Sequence, residues 1–404
     1  MLRMSTDYLK SRLAAGFVPG LQNITSLCAE FGNPQKKFES IHIVGTNGKG
    51  STVLYTANIL QAHKLKVGLF TSPHLVSVRE RFRINKKFIS QKKLDDLLKR
   101  IEKSAVQEPS YFEVLTAAAF LWFAENKIDI AVLEAGLGGR LDSTKIAEGK
   151  IVALTSVGLD HTEILGDTLE KIKKEKLGIM SKNAVLIKPK KITPILQVGN
   201  YGKIYVKNAE LAFATAKAFL GKSFNESTAR IALSKSVWVG RMQFIPTSKT
   251  DFILDGAHNP QAAAALADCL KEKSLPPLPC IFASLSDKDT KGVLKILKPH
   301  ISICYCAPID NPRARTPEEI AAICKELKIK SRIIENIVLH PTSLPTLITG
   351  SLYLVGAAIK KLCETYDELS EFRGLETFPN ETLTIPSKKN IYLPTQTHRN
   401  ISAY

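Results

Sequence analysis

The sequence is short of acidic residues, of closely paired cysteines and of long apolar runs, and each shortage closes off a class of protein. Thirty-eight Asp and Glu stand against 56 Lys and Arg, a formal net charge of +18 over 404 residues. That balance points either to anionic partners or to a basic proteome. Nucleic acid has no carrier beyond the charge itself, because zinc-finger spacing, an aromatic-studded RNP-like strand and a basic heptad helix are all missing. Seven cysteines, at 28, 269, 280, 304, 306, 324 and 363, include no C-x-x-C spacing to grip zinc or exchange disulfides. They read as small core residues in a reducing compartment. The first thirty residues hold no apolar run between a basic start and a small-residue cleavage site. The longest apolar stretch, at 116–124, is too short to span a bilayer. A soluble, cytoplasmic protein is expected. Internal repeats and low-complexity tracts are also missing.

What is there is a chain that is 44% hydrophobic and long enough for more than one core, so two domains are expected. Short β-branched runs at 41–44, 67–70, 128–134, 151–155 and 184–187 alternate with helical patterns such as 92–103 and 112–125. The alternation predicts parallel strands with crossover helices. A second series, with strands at 251–254, 280–283, 301–306 and 351–355 and helices at 260–271, 291–297 and 317–327, predicts a second α/β unit. Gly240 and Pro246 punctuate the chain between the two. The expected division is therefore 1–239, a linker at 240–246, a second domain at 247–372 and a polar, irregular tail at 373–404.

The stretch from His42 to Thr52, HIVGTNGKGST, resembles a phosphate-binding loop but fails the strict pattern G-x-x-x-x-G-K-[ST]. Ile43 stands where the first glycine belongs, and Gly50 where the hydroxyl belongs. A strand ending at Val44, a glycine-rich turn and a helix start still converge backbone N–H groups and a helix dipole on one point, an anion cradle. Lys49 supplies a mobile charge for outer phosphates, and Ser51 or Thr52 a hydroxyl for magnesium. Alone, this loop does not distinguish a motor, a switch GTPase, a kinase or a ligase.

Further stretches combine glycines with carboxylates or imidazoles just after predicted strands: TSPHL from Thr71, LEAGLGGRLD from Leu133, TSVGLDHTE from Thr155, and LDGAHNP from Leu254. Strand ends of an open parallel sheet share one edge, so such groups meet in one crevice. These motifs, in order with RERFRIN, SYFEVLTAAAF, KKEKLGI, Gly240-Arg241, Ser286-Asp-Lys-Asp289 and GSLYLVG, resemble the folylpolyglutamate synthase/dihydrofolate synthase family of the Mur ligase superfamily. The resemblance covers residues 5–370. It implies a two-domain Mur-ligase-like α/β fold: an N-terminal P-loop ATPase domain with a mostly parallel sheet and a smaller Rossmann-like C-terminal domain.

The activity implied is ATP-dependent, ADP-forming ligation of L-glutamate to dihydropteroate and to reduced folates through an acyl phosphate, placing the chain in folate biosynthesis. ATP is a substrate, Mg2+ is expected at two sites, and K+ is a further candidate. On the matching positions, Gly48, Lys49, Gly50 and Ser51 hold phosphates, and Asn208, Arg241 and Asp255 complete the nucleotide site when one domain closes on the other. Ser72 and Glu134 ligate the first metal; His161 and Lys176, the latter as a carbamate, serve the second. Ser110, Tyr111, Phe112, Glu113, Leu141, Asp142 and Ser143 match pterin contacts. Lys49, Lys176 and His258 are the catalytic candidates, His258 placing the incoming glutamate. Arg315 departs from the small residue usual there, and Arg313 or Arg315 meets the glutamate or folate tail.

Each position has a plainer reading: Ser72 as a turn residue, Asn208 as a helix cap, Asp255 and His258 as a helix start, Lys176 as one more solvated lysine. Rival functions are a single-activity or peptidoglycan-precursor ligase, a basic nucleic-acid-binding ATPase and a non-catalytic relative. A monomer acting on small molecules, free of membrane and nucleic acid, is expected.

Overall fold

The computed structural model describes residues 3–366 apart from 15–19, 106–107, 193, 195, 200–201 and 338–343. The tail expected at 373–404 lies outside the described residues. The chain divides into two compact units between Trp238 and Val239.

The first unit is built on seven strands: β1 (Glu39–Val44), β2 (Val67–Phe70), β3 (Phe82–Ile84), β4 (Lys87–Phe88), β5 (Ile130–Glu134), β6 (Ile151–Leu154) and β7 (Val185–Ile187). Their order is β4-β3-β2-β5-β1-β6-β7, parallel from β2 to β7. The central strands β2, β5 and β6 are buried throughout, which is why they read as continuous apolar runs rather than alternations. The antiparallel hairpin β3–β4 was not anticipated: strands of three and two residues carry too few positions for a periodic signal. Helix Tyr111–Glu125 is apolar all round, eleven of its fifteen residues buried, because it packs on β2 and under helices Gln22–Glu30 and Gln91–Glu102.

The second unit holds β8 (Gln243–Ile245), β9 (Phe252–Leu254), β10 (Leu278–Phe282), β11 (Ile301–Cys306), β12 (Ser331–Ile333) and β13 (Thr346–Thr349), in the order β12-β11-β10-β13-β9-β8. All neighbours are parallel except β8, which runs antiparallel to β9. The stretch read as a linker at 240–246 thus contains an edge strand. The strand expected at 351–355 is a correction: those residues open the helix Leu352–Thr365, and the strand lies just before, at Thr346–Thr349. Gly350, at φ +101°, ends the strand where any Cβ would sit 2.4 Å from the Ala283 carbonyl oxygen. Ser351 then caps the helix, its hydroxyl accepting from the Tyr353 N–H at 3.2 Å. A short apolar run such as SLYLV fits strand and helix equally, and the cap decides.

Candidate active site

The phosphate loop leaves β1 at Val44 and enters helix Lys49–Ala62, with Gly48 as the N-cap at φ +87°. A Cβ on Gly48 would stand 2.5 Å from Asn208 Oδ1, so conformation and space both demand glycine. That approach also places Asn208 against the loop. Asn208 lies inside helix Lys203–Leu220, whose N-cap is Gly202, so it is not a cap. The end of β6 braces the loop from behind. Thr46 N–H donates to Ser156 O at 2.7 Å, Asn47 N–H to Ser156 Oγ at 3.0 Å, and the Thr155 hydroxyl to Asn47 O at 2.7 Å. Lys49 Nζ folds onto the Gly45 and Thr46 carbonyls, both at 3.1 Å. The Thr52 hydroxyl donates to Gly48 O at 2.9 Å, which spends it on the helix and leaves Ser51 as the better-suited metal-facing hydroxyl. Trp238 covers Gly50, whose Cβ would meet the indole at 3.3 Å.

The β1–β5 register sets Ile43 opposite Glu134, bringing that carboxylate to the root of the loop. Glu134 is 4% exposed, and its Oε2 accepts from the Ser72 N–H at 3.0 Å. Lys176, also 4% exposed, donates from Nζ to Gly45 O at 3.0 Å. It is buried, unlike the lysines around it. Burial above all, then the Lys49 charge, lowers its pKa to about 7, against the pull of Asp160 and Asp142. Gly139 permits this packing: a Cβ there would be 2.2 Å from Lys176 O. His161 is exposed and left-handed at φ 51°, capping helix Thr162–Leu165, its ring 3.9 Å from the Asp160 carboxylate. Its neighbour Asp160 acts electrostatically on Lys176.

Beside Glu134 opens a cavity of about 270 Å³ whose lining includes Ser72, Arg81, Ser110, Phe112, Leu141, Asp142 and Ser143. Glu113 serves architecture: Oε2 accepts from Ser110 N–H at 2.8 Å in a capping box, and Oε1 from Ile24 N–H at 3.2 Å. Tyr111 stacks with Arg81, the guanidinium 5.6 Å from the ring centre. Asp142 accepts from the N–H groups of Gly136 (2.7 Å), Leu137 (3.0 Å) and Thr144 (3.0 Å) and from the Thr144 hydroxyl (2.6 Å). Burial raises its pKa against those bonds. It holds the loop that walls the cavity. Arg81 was missed by sequence reasoning, although RERFRIN was noted as a motif. Its Nε donates to His74 Nδ1 at 3.0 Å, and burial together with that guanidinium pushes His74 down to about 3, so the imidazole is a neutral acceptor. A larger hollow of about 990 Å³, near Lys66, Lys87 and Trp122, lies at the start of β2, the sheet edge opposite the phosphate loop.

In the second unit, Asp255 follows β9 and accepts from Met242 N–H at 2.7 Å and Ala257 N–H at 2.9 Å. A Cβ on Gly256 would meet an Arg241 guanidinium nitrogen at 2.4 Å, so Arg241 lies over this turn. His258 is half-buried, with Nδ1 2.9 Å from Gly256 O. Asn259 accepts from Ala262 N–H at 2.9 Å and, with Pro260 behind it, caps the helix Pro260–Glu272. Arg315 is committed to the turn after β10, donating to Thr290 Oγ1 at 3.1 Å and Ser286 O at 3.0 Å. Arg313, 55% exposed, faces Asp287 at 3.6 Å.

The donors that the candidate residues offer, the Glu134 carboxylate, the Ser51 and Ser72 hydroxyls and the His161 imidazole, are hard oxygen and nitrogen chemistry that fits Mg2+ or Mn2+. Residues 43–212 match the Mur ligase middle domain and residues 240–344 the Mur ligase glutamate ligase domain. The dihydrofolate synthase/folylpolyglutamate synthase of Bacillus subtilis is 30% identical over 88% of this chain and 98% of its own length. Among solved structures, Escherichia coli FolC in complex with DHPP and ADP superposes with a TM-score of 0.79 at 27% identity, covering 90% of this chain and 98% of that one. The bifunctional Yersinia pestis enzyme complexed with AMPPNP and a Mn ion gives 0.79 at 27%, covering 89% and 98%.

Proposed function

The chain belongs to the folylpolyglutamate synthase/dihydrofolate synthase family of Mur ligases, and from that premise we propose that it joins L-glutamate to dihydropteroate and to reduced folates. It is an ATP-dependent, ADP-forming acid–amino-acid ligase that takes small-molecule substrates. The observation that carries the reading is the pairing of Ile43 with Glu134 together with the Ser72–Glu134 hydrogen bond, which ties phosphate loop, buried carboxylate and cavity into one site.

The substrate carboxylate attacks the γ-phosphorus of ATP and ADP leaves. The glutamate amine then attacks the acyl carbon, phosphate leaves, and the amine's proton goes to solvent or a base. In the proposal, loop N–H groups and Lys49 hold the phosphates, with Lys49 turning from its own loop carbonyls to the incoming anion. Asn208 orients the nucleotide against Gly48, and Arg241 and Asp255 are assigned nucleotide contacts. Ser51, Ser72 and Glu134 would hold one divalent ion, and His161 with carbamylated Lys176 a second. Such ions supply charge neutralisation where two anions meet. The depressed pKa supports the carbamate, because only the neutral amine adds CO2. Ser110, Phe112, Leu141, Asp142 and Ser143 receive the pterin, with Tyr111 and Glu113 shaping their support. His258 places the glutamate, and the exposed Arg313 is the better-suited anchor for its carboxylates.

The division of labour follows 1–239 for ATP and pterin and 247–372 for glutamate, joined at 240–246. A cytoplasmic monomer, indifferent to membranes and nucleic acid, completes the proposal; seven free thiols support a reducing compartment. No described helix is long and apolar enough to cross a membrane. The test is to supply Mg-ATP, glutamate and dihydropteroate or tetrahydrofolate and follow phosphate release and product mass, with K+ exchanged for Na+ in a parallel arm. Phosphate release that ignores glutamate and pteroate would reject the ligase.

A further inference from the structure

The second unit gathers thiols that the sequence spacing hides. β11 alternates its side chains, so Cys304 and Cys306 share one face with Tyr305 on the other. Helix Pro317–Glu326 packs on β11 and β12 and adds Cys324 from 18 residues further along the chain than Cys306. The three Sγ atoms lie within 4.8 Å of one another, and all three residues are 0% exposed. Thiol contacts join Cys304 to Cys306 and Cys324, and the Ser331 hydroxyl hydrogen-bonds Cys324.

We propose that Cys304, Cys306 and Cys324 form a closed three-thiolate site for a thiophilic, low-coordinate metal ion, Cu(I) foremost. A metal–sulfur bond of about 2.3 Å sets trigonal sulfurs roughly 4 Å apart, so the set closes with shifts below an ångström. Soft donors in a dry pocket select Cu(I) over hard ions, and full burial denies the open water position of a catalytic zinc. Cys280 stands opposite Cys304 in the β10–β11 register but falls outside the triad. Binding releases the thiol protons to solvent and clips the helix to β11, with Ser331 orienting the Cys324 sulfur. This soft-metal site is separate in chemistry and residues from the hard-ion site at Glu134, and it does not rest on the ligase assignment.

The full chain, reduced and anaerobic, is titrated with Cu(I) presented as its bicinchoninate complex, and X-ray absorption is recorded on the loaded protein. The expected result is one Cu(I) per chain with three sulfur neighbours and a higher melting temperature. Cys304→Ala, Cys306→Ala and Cys324→Ala each weaken binding at least ~100-fold, while Cys269→Ala leaves it unchanged. Should a variant fail to fold, the absorption spectrum of the wild-type chain decides alone. Failure of the folded, reduced protein to take Cu(I) from the chelator, a shell of other than three sulfurs, or undiminished binding by the triple variant overturns the proposal and returns the cysteines to plain core packing.

Discussion

In the proposed reaction, Glu134 is the residue on which the chemistry turns. A carboxylate at the buried end of an apolar strand is costly unless its surroundings compensate its charge, and the Ser72 N–H contributes one hydrogen bond to that. Glu134→Gln keeps that acceptor and removes the charge. Turnover is expected to fall by roughly 10²–10³ with the melting temperature unchanged or raised; a steady-state assay beside a thermal melt checks both. Lys176 offers a second test. Its depressed pKa corresponds to roughly 5 kcal/mol against burying the ammonium. Below about pH 7 folded and unfolded chains both carry the proton and the whole penalty is present. Between there and 10.5 only the unfolded chain is protonated, so stability climbs with pH. Lys176→Met is therefore expected to stabilise the protein most at pH 6 and to abolish turnover, measured by denaturant titration at several pH values. In the wild type, a 13C-bicarbonate carbamate signal should grow as pH rises through about 7.

At the scale of elements, the apolar central strands and their flanking helices were legible because burial on both faces writes itself as β-branched runs. Where elements were shortest or capped unexpectedly, legibility failed: β3, β4 and β12 carry two or three residues each, and the run at 351–355 is helix because Gly350 and Ser351 end one element and start the next. The loop at 45–48 is an element whose backbone, in the proposed reading, binds the phosphates. Gly48→Ala forces a Cβ into a left-handed turn and against Asn208. About 1–2 kcal/mol of stability should be lost, with a several-fold rise in KM for ATP. An Ala variant with unchanged KM would place the nucleotide elsewhere. Ser110 and Glu113 matched pterin contacts by position, yet their capping box shows a structural duty too. Ser110→Ala is expected to cost about 1 kcal/mol in chemical denaturation.

For the whole molecule, the excess of basic residues is the feature most easily misread. The basic side chains placed at the candidate site are few: Lys49 on its loop and Arg81 in the cavity wall. Adding DNA or RNA at physiological salt should leave ATP turnover unchanged, whereas omitting glutamate should remove it; a salt-sensitive stimulation by nucleic acid would favour the rival ATPase.

The amino-acid sequence by itself determined two α/β units, the anion-binding loop with its glycines and lysine, and the order of motifs that mark the family, because local propensity, period and turn chemistry are written in consecutive residues. Only the tertiary structure decided which distant groups share a site. It set Glu134 beside the loop through strand register, buried Lys176 while its neighbours stayed wet, put Arg81 in the cavity wall, and collected three cysteines whose spacing promised nothing. Proximity across tens of residues follows from sheet pairing and layer packing, which no short window of sequence encodes.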